Sequence, residues 1–172
     1  MPDELRSIMP YAGQRADTFA APLTAAMSEF GISTPQQQAA FLAQVAHESG
    51  SLRYTRELAD GLAYEGRGDL GNTNPGDGPR YRGRGLLQIT GRTNYAACGA
   101  SLGLDLIGRP ELLELPEGAC RSAGWFWMTH RLNRYADTDS FGTITKAING
   151  GFNGMDDRIA CWLRARRALE VA

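Results

Sequence analysis

Eight glycines fall between Gly61 and Gly85, at positions 61, 66, 68, 71, 76, 78, 83 and 85, with Asn72, Asn74, Pro75 and Pro79 interspersed. A glycine inside a helix or strand costs about 0.5–1 kcal/mol relative to alanine, so no regular element is expected to run through this stretch. It reads as a long loop, and loops of that length are either binding or active-site segments or disordered. Within it, Gly66-Arg67-Gly68-Asp69-Leu70-Gly71 matches a dinucleotide-binding pattern. No apolar strand precedes that match and Asn72-Thr73-Asn74-Pro75 opens no helix, so it is set aside.

On both sides of the loop the apolar spacing is helical. Phe19, Leu23, Ala26, Met27 and Phe30 recur at three and four across 16–30, and Gly31 ends the pattern. Thr34, Pro35 and Gln37 form a capping box with proline at the first helical position, predicting a helix from Pro35 to about Ser49 that Gly50 terminates. Further helices are expected over 93–102, 116–131, 140–149 and 156–171. The third of the helical stripes, Ala119, Ala123, Phe126 and Trp127, belongs to 116–131. In the last helix Ile159, Trp162, Leu163 and Leu169 are expected to face inward, with Arg164 and Arg167 on the surface. Leu86-Leu87-Gln88-Ile89-Thr90-Gly91 reads as a short strand or extended segment, with Leu87 and Ile89 on one face and Gln88 and Thr90 on the other. A chain of 172 residues can bury roughly 70% of its unfolded surface around one core, so a single, mainly α domain over 1–172 with a small extended element is expected.

Composition excludes several classes. With 42% hydrophobic and 22% charged residues the chain is neither disordered nor fibrous, and a net charge of −1 gives no global pull toward nucleic acid. Lys146 is the single lysine among 18 basic residues; the arginine excess suits recognition of carboxylates, phosphates and sugar derivatives, or records a GC-rich genome. The arginine-rich stretch 158–167 reads as a solvated helix face. Cys98, Cys120 and Cys161 cannot all pair and form no zinc pattern, which fits a reducing compartment and inert buried thiols. The longest nearly apolar run, Phe19 to Met27, is far short of a membrane span, and the N-terminus lacks a basic region followed by an apolar core.

The most informative position is Glu48. On the helix beginning at Pro35 it shares a stripe with Phe41 and Val45, so a carboxylate stands where the pattern asks for leucine. Burial there would raise its pKa, as a general acid near neutrality requires; the alternative is a boundary glutamate, exposed or salt-bridged. Glu57 is a candidate partner only if the chain turns back at Gly50-Ser51, and Asp60, Glu65 and Asp69 compete for the same role. His47, with His130 as its lone companion, reads as a packed or hydrogen-bonded histidine, and no metal site is expected.

Two segments carry a resemblance. Ala40-Phe41-Leu42-Ala43-Gln44-Val45-Ala46-His47-Glu48-Ser49 and Tyr81-Arg82-Gly83-Arg84-Gly85-Leu86-Leu87-Gln88-Ile89-Thr90-Gly91 resemble the signatures of glycoside hydrolase family 19, the chitinase-like hydrolases. Trp125-Phe126-Trp127-Met128 and Ile148-Asn149-Gly150-Gly151 look like its later segments, in order. The short chain and its loop are most similar to bacteriophage endolysins of that family. The resemblance implies a lysozyme-like α+β fold, mainly helical, with the glycine-rich loop beside the active-site cleft. It implies Glu48 as general acid, Glu57 as general base, Thr90 as a hydroxyl holding the attacking water, and Gln88, Tyr81, Asn149 and Arg158 as positions that contact the sugar or hold the carboxylates. Tyr81 reads equally as packing, and Arg158 as a charge at a helix start. The implied partner is the peptidoglycan glycan strand, cleaved by inversion without metal or organic cofactor, by a monomer that binds no nucleic acid and inserts in no membrane. Such a protein would be made in the host cytoplasm without a signal peptide and reach the wall once the membrane is permeabilised. A non-catalytic glycan-binding module, a lytic transglycosylase and a chitinase are the alternatives.

Overall fold

The computed structural model describes residues 1–171. Nine helices occur in order among them: α1 (Pro2–Ile8), α2 (Arg15–Glu29), α3 (Pro35–Glu48), α4 (Asp77–Arg80), α5 (Arg92–Leu102), α6 (Pro116–Thr129), α7 (Asn133–Ala136), α8 (Phe141–Asn149) and α9 (Met155–Ala168). The capping box forms as expected: Gln37 N–H donates to Thr34 Oγ1 at 3.2 Å, and Gln37 Oε1 accepts from the Thr34 and Ser33 amides. From Ala39 to Ala46 every residue of α3 is buried, so this helix is hydrophobic nearly all round and lies at the centre of the core. It packs on α9, while α2 packs on α6 and α1 on α9. Phe41 meets Trp127 of α6 edge-to-face, with ring centroids 5.3 Å apart.

Several expectations need correction. The helix α1, anchored by buried Leu5 and Ile8, and the short α7 are additions to the sequence reading. In α9 the buried residues are Arg158, Cys161 and Ala165, and Leu163 is 46% exposed, so the inward face lies one side of the expected stripe. Nor is the arginine-rich stretch a solvated face: Arg158 is buried, Arg164 donates to the Ile8 carbonyl at 2.8 Å, and Arg166 donates to Asp139 at 2.7 Å. The glycine-rich stretch is folded into single turns, with 3-10 turns at Leu62–Tyr64 and Gly68–Leu70 followed by α4. Glu65 staples it, accepting from the Gly76 and Gly78 amides at 2.6 and 2.8 Å. Asp77, buried, takes the Arg92 guanidinium through two hydrogen bonds of 2.8 and 2.6 Å.

The expected strand over 86–91 is a tight turn. Arg84 and Ile89 exchange both backbone hydrogen bonds, at 3.1 and 2.7 Å, and Gln88 sits at φ +22°, outside the extended region. The apolar-in, polar-out division survives nonetheless, with Leu87 and Ile89 buried and Gln88 and Thr90 half-buried. Among the described residues no helix is long and apolar enough to cross a membrane.

Candidate active site

Glu48 ends α3, and the chain reverses directly after it. Gly50, Ser51 and Leu52 are consecutive left-handed residues, at φ +56°, +60° and +63°. Ser49 ties the reversal together: its hydroxyl donates to the Val45 carbonyl at 2.6 Å and accepts from the Leu52 amide at 2.8 Å, and its carbonyl accepts from the Arg53 and Tyr54 amides. The turn that Glu57 required therefore exists.

The surroundings of Glu48 differ from the apolar enclosure expected. Its Oε1 accepts from Nη2 of Arg158 at 2.6 Å, and the side chain keeps 21% exposure. It is salt-bridged, as in the alternative reading, but to a guanidinium that is 1% exposed. That guanidinium has no freedom: Nε donates to the Asn153 carbonyl at 3.0 Å and Nη1 to Gln44 Oε1 at 2.5 Å, while Gln44 donates in turn to Thr145 at 2.8 Å. Gln44 lies one turn before Glu48, so a second polar residue on the same stripe was the signal for this network. Arg158 thus holds a carboxylate, one of the two roles the resemblance implies for it, and at 1% exposure it is not available as a sugar contact.

Glu57 is fixed by other means. Oε1 accepts from the Gly83 amide at 3.0 Å and Oε2 from the Tyr64 hydroxyl at 2.9 Å, while the Glu57 amide donates back to the Gly83 carbonyl. Partial burial, then this bond to Glu57, raises the Tyr64 pKa, so the phenol stays a donor. Glu57 lines a hollow of about 270 Å³ with Arg53, Arg56, Arg82 and Glu114. The three acids that compete with it are engaged elsewhere: Asp60 by the Leu62 amide, Glu65 by the staple and Asp69 by Arg67.

Gln88 and Thr90 share a second hollow of about 200 Å³ with Leu70, Asn94, Trp125, Phe126 and His130. Gln88 lies against Gly83, where an added Cβ would come within 2.9 Å of its Oε1, so Gly83 touches both Gln88 and Glu57. The aromatic wall, in which Phe126 stacks on His130 at 3.9 Å, was visible in the sequence only as a core stripe. Tyr81 is corrected: it is buried, leans on Tyr95 and donates to the Ile107 carbonyl at 3.1 Å, the packing role. Asn149 is exposed at the end of α8, apart from these contacts. His47 pairs with Asp157 at 2.6 Å. The three cysteines are buried and free, and burial pushes the Cys98 thiol up to about 12. Among the described residues no group of three acids, histidines or cysteines could hold a metal.

The family model described as chitinase class I matches residues 14–139. The chain belongs to glycoside hydrolase family 19. A "Glycosyl hydrolase family 19 domain-containing protein" of Haemophilus influenzae is 34% identical over 87% of this chain and 86% of its own. An Arabidopsis thaliana endochitinase is 41% identical over 70% of this chain, but the match spans only 41% of that protein. Among solved structures, chitinase C of Streptomyces griseus superposes with a TM-score of 0.78 at 25% identity, covering 99% of this chain and 76% of that one. A bacterial family 19 chitinase superposes with a TM-score of 0.79 at 26% identity, covering 100% and 95%. The fold is the lysozyme-like, mainly helical one of these family 19 chitinases.

Proposed function

We propose that the chain hydrolyses β-1,4-glycosidic bonds of bacterial peptidoglycan by inversion, as a single-domain, monomeric endolysin. It would be made in the host cytoplasm and act on the wall once the membrane is opened. Glu48 protonates the leaving glycosidic oxygen as the bond to the anomeric carbon breaks. Water attacks that carbon from the opposite face and gives its proton to Glu57, so inversion needs the two carboxyl groups about 6.5–9.5 Å apart in the substrate complex. The Thr90 hydroxyl and the Gln88 amide, beside the Glu57 support, hold the water and the sugar, and exposed Asn149 adds a substrate contact.

The observation that carries this reading is the independent fixing of two glutamates, one by the buried Arg158 and one by Gly83 and Tyr64. The names of the relatives favour chitin as a second substrate of the same machinery. Reducing-end release from sacculi and from chitin oligomers measures both. At matched folding, Glu48→Gln is expected to lower the rate on sacculi by about 10²–10⁴-fold. Retention of most activity would overturn the general-acid role.

A further inference from the structure

The hollow beside Glu57 does not end there. Arg53 and Tyr54 also form a wall of a second hollow, of about 510 Å³, lined further by Tyr11, Arg15, His47, Asp157 and Arg164. Four arginines that line these two hollows have no carboxylate partner among the described residues. Arg15 donates to the carbonyls of Ser51 and Tyr11, and Arg164 to the Ile8 carbonyl and Cys161 Sγ. Arg82 donates to the Ala59 carbonyl and leaves its buried Nε without an acceptor, and exposed Arg53 rests over the Tyr54 ring. Elsewhere some arginines close on acids, as Arg6, Arg67, Arg92 and Arg121 do, whereas Arg80 donates to the Ile107 and Gly108 carbonyls and Arg134 to the Tyr135 hydroxyl.

The acids that line the two hollows, Glu57, Glu114 and Asp157, offset part of this excess. Glu57 is held by Tyr64 and Gly83, Glu114 is shared by Arg84 and Arg56, and Asp157 faces His47. A chain of net charge −1 thus gathers more guanidinium groups than carboxylates along two adjoining hollows, one of which holds a candidate catalytic carboxylate. Arg15 and Arg164, anchored by backbone carbonyls, are held in place before any ligand arrives.

We propose that this arginine groove is a subsite for the carboxylates of the peptides attached to the glycan, and makes peptide-bearing strands the preferred substrate. This rests on the glycan-hydrolase reading above and deepens it. A neutral sugar polymer has nothing to place against four unpaired guanidinium groups, whereas a short acidic peptide projecting from a sugar does.

The test compares intact sacculi with glycan strands from which an amidase has removed the peptides, leaving one lactyl carboxylate per muramic acid, and with neutral chitin oligomers as the uncharged reference. Arg53→Gln and the double change Arg53→Gln with Arg164→Gln are expected to lower the ratio of kcat/KM on peptide-bearing over stripped strands by about tenfold, chiefly through KM. Arg53→Lys, which keeps the charge, restores most of it, and added salt erodes the wild-type ratio. An unchanged ratio in the exposed-site variant Arg53→Gln would overturn the proposal. Co-sedimentation with sacculi and with stripped strands, in the Glu48→Gln background, keeps it testable apart from catalysis. Loss of peptide-dependent binding on Arg53→Gln supports the subsite even if no bond is cut, and equal binding to both polymers refutes it even if hydrolysis is confirmed.

Discussion

The two glutamates sit in regions built on opposite principles. Glu48 ends a regular helix, buried from Ala39 to Ala46, and its partner Arg158 comes from α9 across the core. Glu57 lies in irregular chain, between the reversal after α3 and the glycine-rich stretch, and is held by a backbone amide and a phenol. In the first region side chains packed at helical spacing set the geometry; in the second, backbone hydrogen bonds and the absence of side chains do. The contrast teaches that each carboxylate should fail for a different reason when its surroundings are changed.

The largest effect is expected on the helical side. Arg158→Met leaves Gln44 Oε1 and the Asn153 carbonyl without a donor and Glu48 without its buried cation, a loss of about 3–5 kcal/mol. For a chain of this size that is a fall in Tm of roughly 10 °C by calorimetry. A fall of under 2 °C would show that the pair is incidental to the fold.

Next comes the irregular side. At Gly61, with φ +85°, an added Cβ would stand 2.7 Å from the Gly78 carbonyl oxygen and 2.8 Å from Arg82 Cβ, whereas Gly31, with φ +65°, has open space. Gly31→Ala therefore meets backbone strain alone, about 1 kcal/mol, and Gly61→Ala adds overpacking, for about 3 kcal/mol in all. Urea denaturation of the two variants separates these terms, and equal losses would mean that the loop yields freely.

Smallest is a pH effect in the same region. Hydrogen bonds from Arg92 hold the Asp77 carboxyl below its usual range. Its stabilising contribution is then fully present above the ordinary Asp value of about 3.9 and lost as pH falls through the lower folded value. Asp77→Asn should flatten the decline of Tm below about pH 4; an unchanged slope would assign the acid sensitivity elsewhere.

The same contrast governs what could be read from the chain. The centre of α3, its capping box and the glutamate at its end were legible because 3.6-residue periodicity and a cap are local signals. The short α1 carries only Leu5 and Ile8 toward the core, too few for a period to show. The extended segment over 86–91 was misread because alternation of apolar and polar residues looks alike in a strand and in a turn closed by Arg84 and Ile89. Glu48 and Glu57 were legible as candidates from a helical stripe and a permitted turn, their assignment as acid and base through family resemblance alone, and the aromatic wall only as core, since Trp125 and His130 meet Gln88 and Thr90 through long-range contacts that spacing does not encode. The burial of Tyr81 and Arg158 likewise depends on Tyr95, Ile107 and Gln44, remote in sequence.

The stereochemistry of the first product tests the acid and base pair most directly. Proton NMR of a β-1,4-linked muropeptide-bearing oligomer, recorded within the first minutes of cleavage and before mutarotation, should show the α-anomer at the new reducing end. A β-anomer, or an anhydro end without a reducing group, would contradict the account.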